Sequence, residues 1–231
     1  MLRTDNRQNE GLIQMLELKE VVPEITDFKR MKILGAGYSI KKYGIEDIVD
    51  DSSFYVVLNH FDAIDGLDRI TDSPILFFAH DFHTDRFDSI IKKNGGQHFL
   101  GKTNLYAFLH NRDINHKSVV SEIAYPAERI RWIENLHLYE RAQSNLPYFE
   151  NTANSLLGFS STLHSALSLV IGNDFIEEVH LYGMDLYIYQ RVKRFDNKSI
   201  GDHAKIIFNA NKLLLNYIIE RREEVKVAFF N

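Results

Sequence analysis

Three short apolar runs early in the chain each stop at a glycine or a polar cluster, and this repetition constrains the fold more than any other feature. Met31-Lys32-Ile33-Leu34 ends at Gly35-Ala36-Gly37, Ser53-Phe54-Tyr55-Val56-Val57-Leu58 at Asn59-His60, and Pro74-Ile75-Leu76-Phe77-Phe78-Ala79 at His80-Asp81. Continuous β-branched and aromatic runs of this length predict strands buried on both faces, as in a parallel sheet, whose ligands gather beyond the carboxyl ends of the strands. Glu178 to Tyr182, stopped by Gly183-Met184-Asp185, and Val225 to Phe230 predict two further strands. Helical spacing of apolar residues predicts helices over Ser155 to Ile171, which ends at Gly172-Asn173, and over His203 to Arg222.

The expected fold class is therefore α/β. A single Rossmann-like domain over 31–231 would carry a mostly parallel sheet with helices on both faces, and an N-terminal helical extension over 1–30 would precede it. The extension rests on Leu12, Ile13, Leu16 and Leu18, with Val21-Val22-Pro23 ending the helix. Between Thr84 and Tyr148 the periodicity is weak. Apart from a turn at Asn94-Gly95-Gly96 and a candidate strand over Val119 to Ile123, the sequence predicts a lid-like irregular segment of loops and helices over the ligand.

Composition narrows the chemistry. With 231 residues, 45% hydrophobic and 26% charged, the chain can bury a core and shows no sign of disorder. A net charge of −5 removes the basic footprint of a protein that grips nucleic acid by its phosphates. The absence of cysteine excludes disulfides, thiolate metal sites and cysteine nucleophiles. The first residues lack the apolar core of a signal peptide, so a cytoplasmic location is expected.

Several residues have the chemistry for a site. Gly35-Ala36-Gly37 directly follows a strand, where glycines let the backbone approach a ligand and helix amides can face a phosphate; a tight turn with no ligand explains the same residues. The third glycine of a dinucleotide fingerprint is missing, because position 40 is Ile, and Asn59 rather than an acid ends the second strand, so NAD is not expected. Asn59 offers a donor and an acceptor for a sugar hydroxyl or a base edge. His80, Asp81, His83 and Asp85 have metal-ligand chemistry, although polar loop residues at a strand end are the plainer reading and no further cluster of Glu and His at recognisable spacing supports a metal. Asp185 and Tyr187 mark a second polar strand end. His203 opens the last helix, where the positive end of the dipole favours the neutral imidazole that a general base needs; a surface residue behind an Asp202 cap is the plainer reading. His164 and His180 are expected in packed structural roles, and Arg129, Arg131 and Arg141 either meet an acidic substrate or form a solvated face.

Four segments, in order, resemble the bacterial sialyltransferases of glycosyltransferase family 42. Ile33 to Lys41 resembles the family's opening G-N-G-P-S-L-K, and Val57-Leu58-Asn59-His60-Phe61 its R-C-N-Q-F. Phe159-Ser160-Ser161 through Gly172, followed by Glu178 to Tyr187, resembles a T-S-G helix and then E-I-Y-L-S-G-I-D-F-Y. Ser199 to Lys205 resembles Y-I-G-H-S-K. The match covers about half the chain and departs from the family at Ala36 and Tyr38, which stand where the motif has Asn and Pro.

The resemblance implies an inverting glycosyltransferase that moves a sialic-acid-like sugar from a CMP-activated donor to a glycan or lipooligosaccharide acceptor, without metal or other cofactor. It implies that Gly35, Ala36, Gly37 and Asn59 hold CMP, that Ser160 or Ser161 and Asp185 contact donor sugar or cytidine, that Tyr187 faces the phosphate, and that His203 deprotonates the acceptor. It allows a homo-oligomer and peripheral contact with the inner membrane, and no nucleic acid partner. A related group, the pterin diphosphokinase-like and flagellin-modifying proteins, shares the glycine turn and the strand-Gly-x-Asp pattern. Two other readings stay open: a Mg²⁺-dependent phosphate or pyrophosphate transferase using Asp81 and Asp85, and a non-catalytic nucleotide- or glycan-binding module.

Overall fold

The structure, a computed structural model, describes residues 17–80, 82, 86–92, 95–110, 112–113, 121–122, 125–139, 162–185 and 203–230. Its centre is a seven-stranded sheet in which every neighbouring pair runs parallel. The strands are β1 (Arg30–Leu34), β2 (Ser53–Leu58), β3 (Ile75–Ala79), β4 (Leu105–His110), β7 (Asn135–Tyr139), β8 (Glu178–Tyr182) and β9 (Lys226–Phe230), while β5 (Arg112–Asp113) and β6 (Ser121–Glu122) form a separate antiparallel ladder. Across the sheet the order is β7-β4-β3-β2-β1-β8-β9. The chain thus builds outward from β1 in one direction and then returns to β1 to build in the other, the doubly wound arrangement of a Rossmann-like fold.

The apolar runs are continuous because both faces are covered. Alternation sends Met31 and Ile33 of β1 to one face, and Lys32 and Leu34 to the other. The first face, with Phe54, Val56, Phe78 and Val179, packs against α6 (Thr162–Gly172) and the last helix, α7 (His203–Arg221). Leu18 and Val22, in and after the single turn α1 (Leu18–Val21), are fully buried in the same cluster. The opposite face, with Tyr55, Val57, Phe77 and Leu105, is covered by the short connections after β1 and β2 and by α3 (Arg86–Lys92), α4 (Gly96–Leu100) and the neighbourhood of α5 (Ala127–Ile130). Phe61, Phe77 and Phe99 stack and edge together there, with ring centroids 4.7 to 5.8 Å apart. The chain's aromatic wealth is largely core.

Segment 84–148 carries more order than its weak periodicity predicts, since it supplies β4 and β7 to the sheet. These strands mix Tyr106 and His137 with their apolar residues because they lie toward one side of the sheet. His137 stacks on Phe108 at 5.0 Å, and burial pushes its pKa down. The candidate strand over Val119 to Ile123 is described only at Ser121–Glu122, in the small ladder.

Arg222 locks the amino end of the sheet. Its guanidinium donates to the carbonyls of Val170 (2.5 Å), Asp174 (3.2 Å) and Ile176 (3.3 Å), so it satisfies the open end of α6 and the approach to β8 together, and it also pairs with Glu224. Arg222→Met leaves these acceptors in a largely buried place, and we expect it to cost about 3 kcal/mol. Urea unfolding with an unchanged slope measures this, and a loss below about 1 kcal/mol would show that water replaces the guanidinium.

Candidate functional site

β1 has β2 on one side and β8 on the other, and the chain leaves their carboxyl ends toward opposite faces of the sheet. After β1 it packs Ile40, Ile45 and Ile48 on the second face through a 3₁₀ turn (Tyr38–Lys42) and α2 (Ile45–Ile48). After β8 it leads to α7 on the first. A crevice opens where two connections diverge in this way, and ligands of open α/β sheets bind there.

The glycine turn lies at this point of the sheet, beside the end of β8. The β1–β8 pairing continues past both strands: the amide of Gly35 donates to Tyr182 O at 2.9 Å and that of Gly37 to Gly183 O at 2.8 Å. A Cβ on Gly35 would stand 2.8 Å from Gly183 O, and one on Gly37 2.4 Å from the same oxygen and 2.6 Å from Asp185 Oδ2. Gly183 has φ +63, and a Cβ there would lie 2.5 Å from Gly35 O. All three glycines are accounted for by the close crossing of two backbones, and Ala36 between the first two is buried.

Asp185, 2% exposed, reaches across from the β8 side, and its Oδ2 accepts the amide of Ser39 at 2.6 Å. The Ile40 amide turns back to Gly37 O at 3.3 Å. The amides of Gly35, Gly37, Ser39 and Ile40 are all engaged within the protein. Ser39 Oγ, by contrast, is buried with no hydrogen-bond partner among the described residues. Tyr38 stands outward, 49% exposed, with the Lys41 amine 5.7 Å from its ring centroid. Tyr182, under the turn, stacks on Phe230 at 4.4 Å, and burial pushes its phenol up to about 12, so it stays neutral.

Asn59 ends β2 in the left-handed region, with φ 49, a conformation that asparagine tolerates better than most residues. Its Nδ2 donates to Thr162 Oγ1 at 2.7 Å and its Oδ1 accepts the His80 amide at 2.9 Å. One side chain thus joins the ends of β2 and β3 to the first residue of α6. Thr162 was not singled out from the sequence, because a pair 103 residues apart leaves no local signal. Both long helices begin at this end of the sheet: α6 runs from Thr162 back toward the start of β8, and α7 from His203 back toward the start of β9.

The structure therefore brings the Gly35 to Gly37 turn, Asn59, Asp185 and the start of α7 to one end of one sheet. Ser160, Ser161, Tyr187, Asp81, His83 and Asp85 lie outside the described residues. Arg129 is buried and engaged: it donates to Asp88 Oδ1 at 2.7 Å and to Phe82 O at 3.2 Å. Arg131 lies on Trp132, 4.4 Å from the ring centroid. His164 is wholly buried in α6, and His180 packs 5.1 Å from Phe230, its pKa lowered mainly by burial. Away from the crevice, two surface clefts of about 410 and 470 Å³ flank the segment Phe61–Arg69, the first edged by Asp62, Asp65, Asp68 and His98 and the second by Lys41, Tyr43 and Arg69. No helix among the described residues is long and apolar enough to cross a membrane.

No protein-family model matches the sequence, and no curated protein matches it. Among solved structures, that of a mammalian sialyltransferase matches with a TM-score of 0.43 and 13% sequence identity, over 95% of this chain and 81% of that chain. At that similarity nothing is transferred from one protein to the other, and the reading of the site rests on its own residues.

Proposed function

We propose that the protein is a metal-independent glycosyltransferase that moves an acidic, sialic-acid-like sugar from a CMP-activated donor to a glycan acceptor, with inversion. One observation carries this reading: the segments that resemble the family 42 sialyltransferases are far apart in sequence, yet Asn59, Asp185 and the start of α7 gather with the glycine turn at the carboxyl end of a parallel sheet, around its switch point. In this reading the turn forms the floor of the nucleotide pocket. Ser160 or Ser161 and Asp185 contact cytidine or donor sugar, Tyr187 faces the phosphate, and His203 takes the proton of the acceptor hydroxyl as it attacks in line. The leaving group is CMP, whose phosphate carries the charge that develops. Asn59 supports the pocket from below, since its amide group already bridges Thr162 and His80.

Calorimetric titration with CMP and with CMP-sialic acid tests the proposal. Saturable binding of both, unaffected by chelator, is the expected result. A folded protein that binds neither would overturn it.

A further inference from the structure

The first two connections on the second face of the sheet touch at one point and part beside it. Gly66, with φ +81, lies in the connection from β2 to β3, and a Cβ there would be 2.8 Å from Ile45 Cγ2, in the connection from β1 to β2. Glycine at position 66 permits this approach. Where the two connections part they leave the cleft of about 470 Å³, a volume ordinary for a small-molecule site. Its floor is apolar, with Ile45 and Ile64 buried. One wall carries Tyr43, a half-buried ring fixed edge-on by Tyr182 and Phe230, at 5.5 and 6.3 Å between centroids.

The rim of this cleft is polar. Lys41 and Arg69 supply donors, and the carboxylates of Glu46 and Asp65 accept. Arg69 Nη1 lies 3.3 Å from Glu46 Oε2, with the two side chains 65% and 70% exposed. An ion pair so exposed holds little energy, so either member can turn to a ligand at small cost. Two cations and two carboxylates leave the lining without net charge, which favours neither an anion nor a cation. A ligand that suits both floor and rim is uncharged, has an apolar face for Tyr43 and the isoleucines, and carries several groups that both donate and accept. The C–H face and the hydroxyls of a pyranose meet these conditions together.

We propose that this cleft is a secondary carbohydrate site, which holds a neutral stretch of a glycan chain outside the crevice. The 3₁₀ turn that leaves the glycine turn at Tyr38 lines the cleft with Ile40 and Lys41, so a chain seated here lies one short turn of backbone from the crevice. Its use as a second foothold for the acceptor rests on the transfer reaction proposed above; its affinity for neutral sugars does not.

Titration of the ¹⁵N-labelled chain with lactose, maltose, mannobiose and chitobiose, followed by amide shifts, tests the site, with CMP and sialyllactose titrated in parallel. At least one neutral disaccharide should shift the amides of Gly44, Ile45 and Gly66 saturably, with a Kd of about 1–10 mM. Arg69→Ala removes donors from the rim and nothing from the core, and should weaken that sugar about tenfold at an unchanged melting temperature. If none of the four moves these amides at about 100 mM, the proposal is overturned. Equal affinity in Arg69→Ala overturns it too, because the sugar then sits elsewhere. Sialyllactose binding about tenfold or more tightly than every neutral sugar removes the neutral class and the proposal with it. CMP binding without any neutral sugar fells this site alone. A neutral sugar bound here without CMP fells the nucleotide reading and leaves the carbohydrate site standing.

Discussion

His203→Ala should lower the turnover of CMP-sialic acid, read as hydrolysis of the donor with water as acceptor, by about 10²- to 10⁴-fold while leaving CMP affinity unchanged. The split between turnover and binding is the informative part. A group that moves a proton acts as the bond to the leaving phosphate breaks, so its loss appears in kcat. The start of α7, where residue 203 stands, is at the carboxyl end of the sheet. His203→Gln separates proton transfer from packing, since it keeps a side chain of similar length without a titrating ring. Both variants should show the same loss of turnover and fold alike. Full hydrolysis by folded His203→Ala would move the base elsewhere, and loss of CMP binding alongside activity would make the residue part of the pocket.

The second large effect is on stability. Gly183→Ala puts a Cβ 2.5 Å from Gly35 O and 2.9 Å from Ile40 Cβ, at a position whose φ of +63 already disfavours any residue with a side chain. Neither neighbour can move freely, because one is backbone at the end of β1 and the other is a buried core residue. Left-handed strain and overpacking together should cost roughly 2–5 kcal/mol. For a chain of this size that lowers the melting temperature by about 5–15 °C. Differential scanning calorimetry reads this directly, and a variant within about 1 kcal/mol of the wild type would show that the two turns are not held as closely as their hydrogen bonds indicate. Gly95 is the control. It also has a positive φ, of +70, but its Cβ would meet only His98 Cβ at 4.0 Å, so Gly95→Ala should carry the backbone strain without the collision.

The glycines also show where the sequence was ambiguous. Gly35-Ala36-Gly37 after a strand is consistent with a ligand cradle and with a tight turn. The structure adds a third participant, Gly183, whose approach requires the missing side chains on both sides. Nothing near position 35 could announce this, because the partner is 148 residues away and the requirement arises only when β8 takes its place beside β1. Asn59 shows the same effect: its donor and acceptor groups were legible, but their partners, Thr162 and the His80 amide, follow from the docking of α6 over β2 and β3. Arg129 illustrates it a third time, read as meeting an acidic substrate or forming a solvated face, yet held against Asp88 and Phe82 O.

The sequence by itself determined five of the seven strands of the sheet and their environment, and left β4 and β7 unread in the segment between Thr84 and Tyr148. Unbroken apolar runs can persist only where both sheet faces are covered, so Ser53–Leu58 and Ile75–Ala79 were readable as parallel, buried strands from their residues alone. It also placed glycines and polar residues at the strand ends, where a Rossmann-like sheet collects its ligands. Tertiary structure decided what those residues face. The order of strands brings β8 rather than β3 alongside β1 and carries Asp185 across to the Ser39 amide. Local preference fixes the conformation of a strand or a turn. The partner of a buried carboxylate is set by which distant segment packs against it, a property of the assembled sheet.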